Sequence, residues 1–152
     1  MKVFLIKGLA SGLGLGYSPV APGTAGSLLG IPLFWMISSL PWPVYLLTIV
    51  TFSCLAMIIS DHGERLFNEK DCPCIVIDEV AGMLFTYFLI SPTILHIILG
   101  FLLFRFFDIA KPFPANWFQN HLPGGIGVVA DDLAAGIYAN IVLLVLMYGL
   151  HI

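Results

Sequence analysis

Residues 129–150 read VADDLAAGIYANIVLLVLMYGL, and this stretch decides the fold class. From Leu133 to Leu150 it is apolar enough to cross a bilayer, a crossing that takes ~20 residues with a usual range of ~17–25. Two adjacent aspartates, Asp131 and Asp132, stand at its start. A carboxylate beside hydrocarbon is costly, and an ionisable group in such a place marks a functional site by default. Other charges along the chain are placed in the same way.

Hydrophobic residues make up 59% of the 152-residue chain and charged residues 10%, against ~25% charged in ordinary globular domains. Mean hydropathy is +1.00. Too little polar surface is available to coat a soluble globule, so residues 1–152 read as a single integral membrane domain. The net charge of −3 and the six dispersed Lys and Arg give no reason to expect a nucleic-acid partner. Cys54, Cys72 and Cys74 suggest neither a disulfide framework nor a zinc site, since the CPC pair lacks the two-residue spacer and a second pair of ligands. They are expected to be small apolar or loop residues in a reduced compartment. Between Lys2 and Lys7 only Val3 to Ile6 are continuously apolar, too short for a signal sequence, so the N-terminus is expected to be retained.

Working back from Leu133, further apolar blocks lie at Ile94–Phe107, Val80–Ile90, Val44–Ser60 and Ala25–Leu40, the last two separated by the breaker PWP. No alternating strand pattern appears, and in lipid only helices and closed barrels satisfy their backbone groups. The expected fold is therefore all-α: a polytopic membrane helical bundle of four to five membrane helices with glycine-rich loops on the cytoplasmic side. The blocks starting at Val80 and Ile94 are short. They must extend into their flanks, lie shielded by protein, or be re-entrant.

Basic residues set the expected topology. Lys2 and Lys7, Arg65 and Lys70, and Arg105 and Lys111 fall in alternate connections, while SSLPWP and SPT carry no charge. With cationic loops inside, the N-terminus and every unusual polar stretch lie on the cytoplasmic side and the C-terminal His151–Ile152 lies outside. A transporter's polar groups tend to line a path to the bilayer midplane. One-sided placement suits a site at a membrane surface.

Of nine acids, Asp61, Glu64, Glu69 and Asp71 belong to SDHGERLFNEKDCP, which reads as a solvated connection. Asp78, Glu79, Asp108, Asp131 and Asp132 sit at block ends and are the candidate catalytic carboxylates. Helix capping explains one acid per helix. It explains doubled, mutually repelling acids less well. A divalent cation would remove the conflict, and hard oxygen donors without a histidine cluster favour magnesium or manganese over zinc. The expected metal ligands are Asp78, Glu79, Asp131 and Asp132.

In FRFFDIAKPFP, Arg105 and Asp108 share a helix face, and Pro112 should end the helix at Lys111. One reading pairs Arg105 with Asp108 and lets Lys111 snorkel to lipid head groups. The other uses Arg105 as a forked donor, and Lys111 as a point charge, to phosphate oxygens. Two glycine-rich loops add backbone donors: SPVAPGTAGS leads to a helix that Thr24 or Ser27 could cap, and PGGIGVVADD, with Gly125, leads to the last helix. No cysteine has the arginine six residues later of a cysteine phosphatase loop, no Asp-x-Asp-x-Thr run is present, and His62, His96, His121 and His151 lie outside these clusters. Metal-assisted attack by water remains, with a clustered carboxylate as base.

SPVAPGTAGS, DEVAGM, FRFFDIAKPFP and GGIGVVADDLAAG, in this order and spacing over Gly12 to Tyr138, resemble phosphatidylglycerophosphatase A. The resemblance implies a bacterial inner-membrane, magnesium-dependent lipid phosphatase that acts on phosphatidylglycerophosphate. Its substrate would be a phospholipid resident in the membrane, and a homo-oligomer is left open. The shared polar residues it implies are Asp78, Glu79, Arg105, Asp108, Lys111, Asp131 and Asp132, with Thr24 and Ser27. The rivals are another membrane phosphotransferase, whose longer aspartate-rich signature is absent here, a small membrane cation transporter that uses the clustered acids as its ion site, and a non-catalytic subunit that binds anionic lipid.

Overall fold

Proline and glycine set the helix boundaries. Pro41 caps a helix whose second residue is Pro43, where a missing N–H costs nothing. Lys111, forced out of helical geometry by Pro112, ends another at φ 44°. The computed structural model describes residues 2–70 and 72–150. Asp71, His151 and Ile152, named above, lie outside the described residues.

The elements are α1 (Lys2–Ala10), a 3-10 turn (Leu15–Tyr17), α2 (Pro22–Ile37), α3 (Trp42–Phe67), α4 (Ile77–Thr86), α5 (Ile94–Ala110), α6 (Ala115–His121) and α7 (Gly124–Leu150). The all-α expectation is met: the described residues hold no strand. The connections α2–α3 and α4–α5 meet at one end of the bundle around a cavity lined by Ser38, Trp42, Tyr45, Tyr87 and Ser91. The start of α2, the start of α4, the end of α5 and the first half of α7 meet at the other.

The expectation of four to five membrane helices is corrected. Among the described residues two helices, α3 and α7, are long and apolar enough to cross a membrane. α2 and α4, at 16 and 10 residues, fall short of the ~17–25 a crossing needs, and α5, at 17, stands at its lower edge. The block at Val80 misleads because hydropathy does not distinguish lipid from protein as the apolar surroundings. α4 buries Ile77, Asp78, Val80–Leu84 and Thr86 inside the bundle. Its C-terminal carbonyls need no water, because Asn140 Nδ2 donates to Thr86 O at 2.9 Å and Phe88 O at 2.7 Å.

Around α4 the core comprises Phe34, Tyr45, Ile49, Met83, Tyr87, Phe104 and Leu143. Phe34 stacks on Tyr87 with ring centroids 4.5 Å apart. The buried hydroxyls of Tyr45 and Tyr87 donate to Leu84 O at 2.9 Å and Ile97 O at 2.7 Å. α4 crosses α7 at bare glycines: a Cβ on Gly136 would lie 2.3 Å from Gly82 O, and one on Gly82 would lie 2.6 Å from Asp132 O. Small residues at a crossing let backbones approach closely, and this approach brings α4 and Asp132 together.

Four further expectations are corrected. The last helix does not begin at Leu133: α7 starts at Gly124, so Asp131 and Asp132 lie two turns inside it. The PGG stretch is no free loop, since a Cβ on Gly125 would strike Met57 O at 2.3 Å and Asp61 N at 2.4 Å of α3. Likewise α3 continues past Ser60 to Phe67, so Asp61, His62 and Glu64 are helical, and Arg65 pairs with Asp61 at 2.7 Å. Finally, Cys72 and Cys74 are joined by a disulfide, while Cys54 is free.

Candidate active site

α4 opens with Asp78 and Glu79, so two carboxylates occupy its first turn. The Glu79 N–H donates to Asp78 Oδ1 at 3.1 Å. Across the glycine crossing, α7 supplies Asp132. One oxygen from each of Asp78, Glu79 and Asp132 lies within 4.8 Å of the others. Asp78 and Asp132 are buried. Glu79 Oε2 is also buried, with no hydrogen-bond partner. Burial above all, then the charge of Asp78 with those of Asp132 and Asp108, pushes the Glu79 carboxyl well above its ordinary pKa. A compact, all-carboxylate donor set with an orphaned oxygen fits a hard divalent cation.

α2 closes the site from a third side. A Cβ on Gly23 would lie 2.4 Å from Glu79 Oε1 and 3.4 Å from Arg105 Nη1, so only glycine lets the helix start approach both charges. Arg105, near the end of α5, forms an ion pair with Asp108 Oδ2 at 2.6 Å and donates to Ser27 Oγ at 3.2 Å. The Ser27 hydroxyl in turn donates to Gly23 O at 2.8 Å. The helix is therefore not capped by Thr24 or Ser27, as the sequence suggested. Its N-cap is Ala21, Thr24 lies half-buried in the first turn, and Ser27 ties Arg105 to α2. Asp108 also reaches Asp132, near enough for their carboxyl groups to share a hydrogen bond.

Asp131 differs from its neighbour. Successive residues on a helix point ~100° apart, and Asp131 Oδ2 is ion-paired with Lys111 Nζ while Asp132 joins Asp78 and Glu79. Burial lowers the Lys111 pKa, but the hydrogen bond and charge of Asp131, with Asp132 and Asp108, outweigh it and leave it above the ordinary value.

Nine of the ten residues singled out from sequence fall in these two adjoining groups or on the start of α2. The tenth, Gly125, packs on α3 beside Asp61. His96 is buried and bonds Ser91 O at 2.9 Å. Sequence reasoning missed the close-approach roles of Gly23, Gly82 and Gly136. Their signal was glycine at helix-forming positions rather than in loops.

Comparison with known proteins identifies the family. The family model described as phosphatidylglycerophosphatase A matches residues 8–147. The phosphatidylglycerophosphatase A of Escherichia coli K12 is 35% identical over 130 residues, covering 85% of this chain and 76% of its own. That of Haemophilus influenzae Rd is 37% identical, with 92% and 87% covered. A Bacteroides thetaiotaomicron protein, provisionally named a phosphatidylinositol-3-phosphatase, is 34% identical with 93% of each chain covered. No solved structure matches. The chain belongs to the phosphatidylglycerophosphatase A family and is a phosphatase, a phosphoric monoester hydrolase.

Proposed function

We propose that the chain hydrolyses the terminal phosphomonoester of phosphatidylglycerophosphate to phosphatidylglycerol and inorganic phosphate, with magnesium held by Asp78, Glu79 and Asp132. The observation that carries this reading is the convergence of those three carboxylates beside Arg105, which Asp108 and Ser27 hold in a fixed pose. A fixed guanidinium presents forked donors to the non-bridging oxygens of a phosphate. Lys111, aimed by Asp131, adds a second positive charge. What a divalent cation supplies when bound is charge for the phosphoryl oxygens and a lower pKa for the attacking water. A carboxylate of the cluster takes a proton as the water oxygen bonds to phosphorus, the phosphorus–ester oxygen bond breaks, and that proton passes to the released polyol oxygen.

The exposed apolar faces of α3 and α7, with Leu47, Leu55, Ile58, Ile141 and Val145, suit contact with lipid. Cationic connections at the site's end of the bundle support a cytoplasmic orientation in the inner membrane. The substrate's acyl tails then stay in the leaflet while its head group reaches the acids.

The test is phosphate release from detergent-solubilised phosphatidylglycerophosphate, with and without magnesium, and with phosphatidylinositol 3-phosphate as a second substrate because one relative bears that name. Release that needs magnesium and prefers the first lipid is expected. A cation transporter or a lipid-binding subunit releases none, and preference for the inositol lipid would reassign the substrate.

A further inference from the structure

α6 separates two different surfaces. Its Phe118 faces an apolar groove with Ala134 and Ile137 of α7. Its other side, with Asn116, Trp117, Asn120 and His121, joins Lys111 and Phe113 around a cavity of about 280 Å3. The lining side chains Phe113, Asn116, Trp117, Asn120 and His121 are exposed, and the two asparagines contact one another. Asn120 Nδ2 donates to Asn116 O at 2.8 Å and also contacts Asn116 Oδ1. Trp117 stacks on His121 with centroids 4.9 Å apart and planes 12° apart.

Lys111 belongs to both places: its ammonium pairs with Asp131, next to the acid cluster, and its side chain walls this cavity. The cavity therefore opens directly beside the site where a terminal phosphate would be cleaved. We propose that it is the subsite for the rest of the head group, a hydroxylated polyol joined through a phosphodiester. This rests on the function proposed above. The chemistry matches part by part. An ammonium answers the diester anion, side-chain amides both donate to and accept from a hydroxyl, and a stacked aromatic pair covers the carbon face of the polyol. A lipid phosphomonoester without a polyol has nothing to place there. The subsite thus sets preference for head groups that carry a second phosphate and a hydroxyl.

The experiment uses the full chain in mixed micelles with phosphatidylglycerophosphate and phosphatidic acid of identical acyl chains. It compares wild type, the Asn116→Ala/Asn120→Ala double variant, and Asn120→Gln, with thermal unfolding as a check on folding. Where phosphatidic acid is not turned over, its inhibition constant as a competitor replaces its kcat/KM. Loss of two neutral hydrogen bonds should lower kcat/KM for phosphatidylglycerophosphate about tenfold, chiefly through KM. The phosphatidic acid value should not change, and Asn120→Gln should lose less than the double variant. If both lipids lose equally, α6 is only structural; if neither changes, this is only a polar interfacial face. Either result overturns the subsite while leaving the phosphatase reading intact. A wild type that releases no phosphate from either lipid overturns both.

Discussion

Asp131 and Asp132 are adjacent in the chain yet serve different partners: Asp131 holds Lys111, whereas Asp132 completes a trio with Asp78 and Glu79 across the α4–α7 crossing. The doubled aspartate is thus two single aspartates on two faces of one helix.

Replacing Asp132 by Asn, or Glu79 by Gln, should reduce phosphate release at least ~10²–10³-fold, the range seen when one preorganised electrostatic contact is lost. Membrane insertion should persist. Each change also removes one charge from a buried, mutually repelling group, so in chelator the variants should unfold no more easily than wild type. Wild-type turnover in either variant would remove that residue from the mechanism.

Lys111→Ala removes the ammonium paired with buried Asp131, and breaking such a pair costs on the order of 3 kcal/mol. The double variant Lys111→Met/Asp131→Asn should regain stability but not substrate handling, with KM raised more than kcat falls. Unchanged kinetics in the single variant would support a lysine that merely snorkels. The folded-state pKa of Lys111 is raised, so the pair's contribution is complete below the ordinary value of 10.5 and fades only as pH climbs beyond it. Denaturant midpoints across that range check the sign.

Gly23→Ala places a methyl group 2.4 Å from Glu79 Oε1. Glu79 is a flexible side chain and will shift. A displacement near 1 Å at a reacting centre can cost ~10²-fold in rate. Because alanine suits a first helical turn, stability should hold while phosphate release falls; parallel melting and activity curves separate the two.

Chelation should abolish phosphate release, and magnesium should restore it. The raised Glu79 pKa means that protons compete for this site at pH values where an exposed glutamate is fully ionised. At limiting magnesium, activity should therefore decline at pH values above those at which an exposed glutamate protonates, and excess magnesium should push that decline lower. A pH profile independent of magnesium would contradict this linkage.

α3 and α7 were legible in the sequence because uninterrupted apolar runs are a local signal, and so was the end of α5, because Pro112 acts on its own neighbour. α4 was not, since Val80–Ile90 looks the same whether lipid or Phe34 and Phe104 surround it. The acids of the site were legible as charges out of place. Their division of labour was not, because only the positions of Lys111 and Asp78 show which way Asp131 and Asp132 point. Gly124, Gly125 and Gly127 read as a loop, since glycine serves turns and tight helix contacts alike and only α3 decides between them. The Cys72–Cys74 bond lay outside any spacing rule applied to CPC.

Exchanging glycine for alanine usually stiffens a helix and adds ~0.4–1 kcal/mol by restricting the unfolded chain. Gly82 and Gly136 close that route, since one extra carbon at either would wedge the helices apart and draw Asp132 away from its two companions. Heat-tolerant descendants of this chain must gain rigidity in outer faces and connections, because the contact that gathers the acids has no slack to give.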